Sequence, residues 1–513
     1  MKISNLLSLM ICATVVFAEI QPVAPEGSGT KDDPYMFDRL ENFFWLSQTP
    51  WTKKIYCKQI TDVDASITQR EGETSWPLIA NYDEYELNYD GQGYSIISPY
   101  LSDSVTNARG IFSFGVFQIK NLNIKKAKAN YEKGFGSILV GEMHINQKNK
   151  STLLSVENCN IEGEIFTSSS ASGLINTVDI ADKTASLIVS NCFCDVIIKG
   201  EEIGASGLIS NINSFYGNSI NLYSSGAELT VRCKVINGMG GLVGSIFLYS
   251  PTNYVTTATI ADCCSKIDLV GTKGGGKNCG IGGLLAKVVI SIHKSAGIDV
   301  EPVCVANIFR CRSTGSITLG KNDIDGYLRS FDGGGFIGEL GCHVEGASST
   351  IFIDDCYSDV AFDLDDDYGN PSGFIGTVTE SNKGIFSLIA IARCYASTPI
   401  NIVSPRSDFW EYKKPFVGNY NHAVAGTIQC LTITNSYSNQ DFFKFDDEYA
   451  TGKTGKELKQ KKTFKDWDFV NVWDIDEGES FPYLINELPE PSAAIVFVLA
   501  LLIGFKLLPV SCK

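Results

Sequence analysis

Residues 156–166 read Val156-Glu157-Asn158-Cys159-Asn160-Ile161-Glu162-Gly163-Glu164-Ile165-Phe166, and the phrase comes round again. An apolar segment leads to a polar residue, a cysteine and a second apolar segment. Val189-Ser190-Asn191-Cys192 with Ile197-Ile198 is the next copy. Later copies end at Cys263, Cys311, Cys356 and Cys394, and the last, Ile433-Thr434-Asn435-Ser436, has Ser in the Cys place. A partner phrase alternates with it: Gly, bulky apolar residues, often Gly again. Examples are Ser206-Gly207-Leu208-Ile209, Gly240-Gly241-Leu242-Val243-Gly244 and Gly334-Gly335-Phe336-Ile337-Gly338.

Each unit holds about three short strands separated by Gly or polar turns. One unit cannot bury its own apolar face, whereas stacked units bury a continuous one. Stacking pairs each strand with its copies above and below, which makes parallel sheets. Crossovers between parallel strands are overwhelmingly right-handed. The fold expected is therefore all-β: a right-handed parallel β-helix, with short helical caps and a C-terminal hydrophobic helix.

Equivalent side chains in such a stack form ladders. Cys is small and apolar enough for an inward corner site, and Ser436 fits the same space. Cys159, Cys192, Cys263, Cys311, Cys356 and Cys394 are accordingly expected as one row of reduced thiols. Disulfides are the competing reading, since an exported chain with 16 cysteines would meet oxidising conditions.

The ends indicate export. Lys2 precedes an apolar run to Ala18, with Val16 and Ala18 placed for cleavage before Glu19, so residues 1–18 read as a signal peptide. Residues 19–107 read as an N-terminal cap and first coils, 108–440 as the repeats, and 441–485 as a C-terminal cap. Asp38-Arg39-Leu40-Glu41 has capping-box spacing ahead of a helix from about 39 to 47, with Leu40, Phe43 and Phe44 on one face. Thr454-Gly455-Lys456-Glu457 repeats that spacing, and Trp467, Phe469 and Trp473 are expected to close the far end. Residues 486–491 form a linker. Residues 492–513 form an apolar tail of about the shortest length that spans a membrane.

The repeats resemble the GLUG motif of bacterial and some eukaryotic surface proteins, over roughly residues 108–440. The segment Pro489-Glu490-Pro491 with the tail resembles the PEP-CTERM sorting signal, its basic block reduced to Lys506 and Lys513. These resemblances imply a secreted or cell-surface protein, sorted through its tail by a protease or anchored by it. A simple membrane anchor and a lipid-anchor signal remain alternatives for the tail.

Net charge −16 excludes a nucleic-acid partner, because phosphates demand Lys/Arg surfaces. The function expected is a non-enzymatic adhesion or binding surface for a glycan or protein ligand. The rival is a β-helix polysaccharide lyase or hydrolase. No catalytic set emerges: there is no G-x-S-x-G elbow and no P-loop order around Gly274-Gly275-Gly276-Lys277. His144, His293, His343 and His422 lack metal-type partners at short spacing, so structural or surface roles are expected of them. The acidic run offers weak metal candidates. Alternation along a strand turns Asp363, Asp365 and Asp367 to one side, where they would hold Ca²⁺ weakly. The solvated-loop reading of that run is preferred, and no cofactor is expected. Asn149-Lys150-Ser151 is a glycosylation sequon.

Overall fold

The computed structural model describes residues 20–485 except 51–53, 70–74, 81–85, 103–108, 133, 147–152, 251–254, 274–278, 294–302, 321–330, 346–347, 366–368, 384–386, 404–413, 423–430 and 444–447. The stretch expected as a signal peptide, the sequon at Asn149, Asp367, and the stretches expected as linker and tail from 486 onward lie outside the described residues.

Most of the described chain is strand. One parallel sheet has 20 strands, a second has 19, and a short antiparallel pair stands apart. Strands pair with their counterparts one coil later, so the chain winds as a stack of parallel coils, the arrangement of a β-helix or solenoid. One ladder shows the register. Its strands are β1 (Phe112–Lys120), β2 (Val140–Ile145), β3 (Ile175–Ile180), β4 (Ile209–Phe215), β5 (Val243–Tyr249) and β6 (Leu285–His293). Phe112, Val140, Ile175, Ile209, Val243 and Leu285 lie directly over one another, and all six are fully buried. Burying each aliphatic side chain of such a column contributes about 1.5–3 kcal/mol. β1 joins two faces of the solenoid, because its first half pairs with β2 and its second half with Leu153–Glu157.

The glycine phrase has a steric cause. A Cβ on Gly173 would stand 2.5 Å from the carbonyl oxygen of Gly207 in the next coil. The turn packs backbone on backbone, and no side chain fits between the coils.

The N-terminal end is sealed by α1 (Leu40–Gln48), whose Leu40, Phe43, Phe44 and Leu46 are buried. Phe43 packs on Phe37, Trp76 and Tyr89 at centroid distances of 4.9, 4.9 and 6.0 Å. The cap differs from the expected Asp38/Glu41 box. Asn42 does the work: its Oδ1 accepts from the N–H groups of Asp38 and Arg39, and its amide donates to the Val23 carbonyl. Asp38 is taken by the Arg39 guanidinium instead. At the far end, Thr454 caps α2 (Gly455–Leu458) reciprocally with Glu457. Trp467 and Trp473 pack with Tyr357, Tyr395 and Tyr437 in one cluster. Those tyrosines come from three successive coils, so the C-terminal segment grips the side of the stack as well as its end.

Candidate functional site

The outward residues of β2 to β5 form a lateral face. Strand alternation sends Met143 and Ile145 inward and leaves Glu142 and His144 half-buried on the outside. Register then decides their neighbours. Glu142 lies beside Thr177, and the row continues through Asn211 to Ser245. His144 lies beside Asp179, and that row continues through Asn213 to Phe247.

Glu142, His144 and Asp179 converge. One donor atom from each lies within 4.8 Å of the others. Asn213 Nδ2 donates to Asp179 Oδ1 at 2.7 Å, which fixes that carboxylate. The imidazole of His144 stacks on Phe114 at 6.0 Å with a 23° interplanar angle. Burial, and then the charge of Asp179, pushes the Glu142 carboxyl up to about 7. These are the donor types of a divalent-cation site. His144 therefore departs from the expectation that the histidines lack metal-type partners. Glu142 and His144 are two apart, which on a strand places them on one face. Asp179 becomes their neighbour only through the coil register.

Toward the adjoining corner the face opens into a groove of about 350 Å³ lined by Ser168, Ser206, Ser210, Asn211, Asn237 and Ser245, among others. Hydroxyl and amide groups dominate, with Glu202 the acidic member. Phe247, two residues beyond Ser245, is 37% exposed, as is Phe215 on the neighbouring strand. Phe215 meets Tyr249 edge-on at 6.1 Å. A second cleft of about 550 Å³ lies near the N-terminus, lined by Lys31, Lys54, Lys58 and Lys120 with Asp90 and Glu157. Its charges alternate along the coils as Lys58, Asp90, Lys120 and Glu157, and Lys120 pairs with Asp90 at 3.3 Å. Lys54 pairs with Glu86, so two of these four lysines are answered from within the protein.

No protein-family model matches the chain, and no curated protein matches it. A solved structure from Bacteroides ovatus, provisionally assigned as an immunoglobulin A1 protease, is similar over 90% of this chain and 95% of its own. The identity is 13% and the TM-score 0.39. Among the described residues, no helix is long and apolar enough to cross a membrane.

The six ladder cysteines, Cys159, Cys192, Cys263, Cys311, Cys356 and Cys394, are all buried with free thiols. The row is longer than the cysteines alone. A backbone N–H following each ladder residue bonds the carbonyl of its counterpart one coil earlier: Asn160 to Leu122, Gly226 to Cys192, Cys264 to Ser225. Leu122 thus precedes Cys159, and Ser225 stands between Cys192 and Cys263. Each thiol donates to the carbonyl two residues earlier, at 3.1–3.4 Å. Ser225 and Ser436 do the same with their hydroxyls, at 2.8 and 3.0 Å. The position selects a small donor, which explains the Cys–Ser exchange.

The acidic run is solvated where it is described. Asp363 and Asp365 are both exposed. Asp363 accepts from Asn401 of the next coil at 2.9 Å. The third member of the trio, Asp367, lies outside the described residues.

Proposed function

We propose that this chain is a non-enzymatic surface protein, a right-handed parallel β-helix whose lateral face binds glycans. The observation that carries this reading is the groove of Ser206, Ser210, Asn211 and Ser245, with the exposed rings of Phe247 and Phe215 further along the two strands that carry Ser245 and Asn211. Hydroxyl and amide groups match the hydroxyls of a sugar, and an aromatic face takes the apolar face of a pyranose ring. The hand follows from the preference of parallel crossovers. The likeness of the repeats to the GLUG motif supports a place at the cell surface, with the hydrophobic tail serving for sorting or anchoring. In this reading the acidic run at Asp363 and Asp365 is a solvated edge without catalytic or Ca²⁺-binding duty.

A polysaccharide hydrolase is the second reading, favoured by Glu142 and Asp179. A carboxyl of raised pKa beside a second carboxyl is the pattern of glycosidic acid–base pairs. A glycan array probed with the full-length chain, with reducing-end release measured alongside, separates the two. Binding that is lost in Phe247→Ala and Asn211→Ala, without release of reducing ends, is the expected result. Reducing ends released by the parent and abolished in Glu142→Gln would overturn the non-enzymatic reading.

A further inference from the structure

We propose that Glu142, His144 and Asp179 form a binding site for a divalent transition metal of the Zn²⁺ type on the lateral face of the solenoid.

The donor set selects the metal class. One imidazole and two carboxylates make a mixed N/O site, which suits Zn²⁺ and its first-row neighbours. Ca²⁺ calls for six to eight oxygen ligands, and two carboxylates on a flat sheet face supply too few. Three protein ligands leave one position of a tetrahedral Zn²⁺ for water or an incoming ligand oxygen.

The geometry is close to what binding needs. With donor atoms within 4.8 Å of one another, an ion at their centre would require each to close in by about 0.7 Å to reach bonding distance. Rotation of a Glu or Asp side chain covers that without backbone movement. The backbone is fixed in advance, because β2 and β3 are held in register from Val140–Ile175 to Ile145–Ile180. Two of the three donors are also oriented from outside. Asn213 holds one oxygen of Asp179 at 2.7 Å, the kind of outer partner that aims a metal-binding carboxylate. The ring of Phe114 lies against His144 and limits its rotation. Two carboxylates brought together on adjacent coils repel one another, and a bound cation removes that cost. Among the described residues the thiols are buried except Cys233 and Cys264, and those two stand on the other parallel sheet from β2 and β3. The site does not depend on the glycan reading, since it needs no sugar.

The test is calorimetric titration of ZnCl₂ into the EDTA-stripped, reduced full-length chain near neutral pH. Circular dichroism confirms that each variant is folded. One Zn²⁺ per chain is expected. His144→Ala and Asp179→Asn should each weaken it by at least about 10-fold, and Asn213→Ala should weaken it less. Excess CaCl₂ should not displace it. His144→Gln serves as the second variant if His144→Ala does not fold. Co²⁺ added to the parent should give visible absorption bands that vanish in the His144 variant. Absence of saturable Zn²⁺ binding, or affinity unchanged in both ligand variants, would overturn the assignment. Displacement by equimolar Ca²⁺ would overturn the transition-metal class.

Discussion

The indole Nε1 of Trp473 donates to the carboxylate of Asp355 at 2.9 Å, joining residues 118 apart in sequence. Trp473 is fully buried, and Asp355 is a corner residue of the repeat stack, one before Cys356 in the ladder. Arg393, the corner residue of the next coil, closes on the same carboxylate with its Nε at 2.9 Å. The C-terminal segment is thus bolted to two coils through one carboxylate. Trp473→Phe keeps the packing but removes a hydrogen bond to a charged group, at a cost of about 1.5–3 kcal/mol. Trp473→Ala also opens a cavity and should cost about 3–5 kcal/mol. Urea unfolding followed by far-ultraviolet circular dichroism measures both. Equal losses in the two variants would show that the hydrogen bond and not the packing holds the segment, and no loss in Trp473→Phe would show that packing alone does.

The cysteine ladder makes a graded prediction. Cys263→Ala and Cys311→Ala should each destabilise by roughly 1–2 kcal/mol, through a small cavity and a lost S–H···O contact. Cys263→Ser should cost less, because Ser225 and Ser436 already make the equivalent bond in the same row. Thiol counting after unfolding should find all six sulfurs free. Finding them blocked as disulfides would remove the ladder argument.

Alkaline pH should weaken the fold through these buried thiols. Burial pushes Cys233 up to about 11, and Cys279 and Cys304 to about 12. A thiol that ionises later in the folded chain contributes stability that is complete below its ordinary value near 9. That contribution fades as pH rises through 11 to 12. The urea midpoint in reducing buffer should hold up to about pH 9 and fall beyond it. Cys279→Ala should make that fall shallower. Under native conditions iodoacetamide should modify Cys233 and Cys264 first, since every other described cysteine is buried.

The repeat phrase made the coil architecture legible, because Cys and the glycine turn recur at corners where size and backbone approach are fixed. Ser225 was hidden by its identity, although Ser436 in the same role was the clue. Leu122 breaks the donor chemistry and carries no such signal. Asn42 took the capping role from Glu41 because its amide both accepts from two N–H groups and reaches Val23. The cluster at Glu142 was half legible: Glu142 and His144 share a strand face by alternation. Asp179 joins them only once the coil length between β2 and β3 is known, and unequal loops conceal that length in the sequence.

The corner itself supplies the last prediction. The residue before each ladder position adopts the left-handed conformation: Asn121, Asn158, Asn191, Ser224, Asp262, Arg310, Asp355, Arg393 and Asn435 have φ between 45° and 55°. Asn and Asp tolerate this region, but Arg gains nothing from it. Arg310 is compensated by a two-pronged pair with Asp262 of the preceding coil, at 2.6 and 2.7 Å. Both partners are partly exposed, so that pair contributes on the order of 0–1 kcal/mol. Arg310→Gly relieves the backbone while losing the pair, and the two effects should nearly cancel. Arg310→Val loses the pair and adds a branched side chain to a left-handed backbone, and should cost about 1–2 kcal/mol. Asn191→Gly should be close to neutral and Asn191→Val destabilising by a similar amount. If Gly and Val cost the same at both corners, in chemical denaturation, the corner is held by its side chains and not by its backbone.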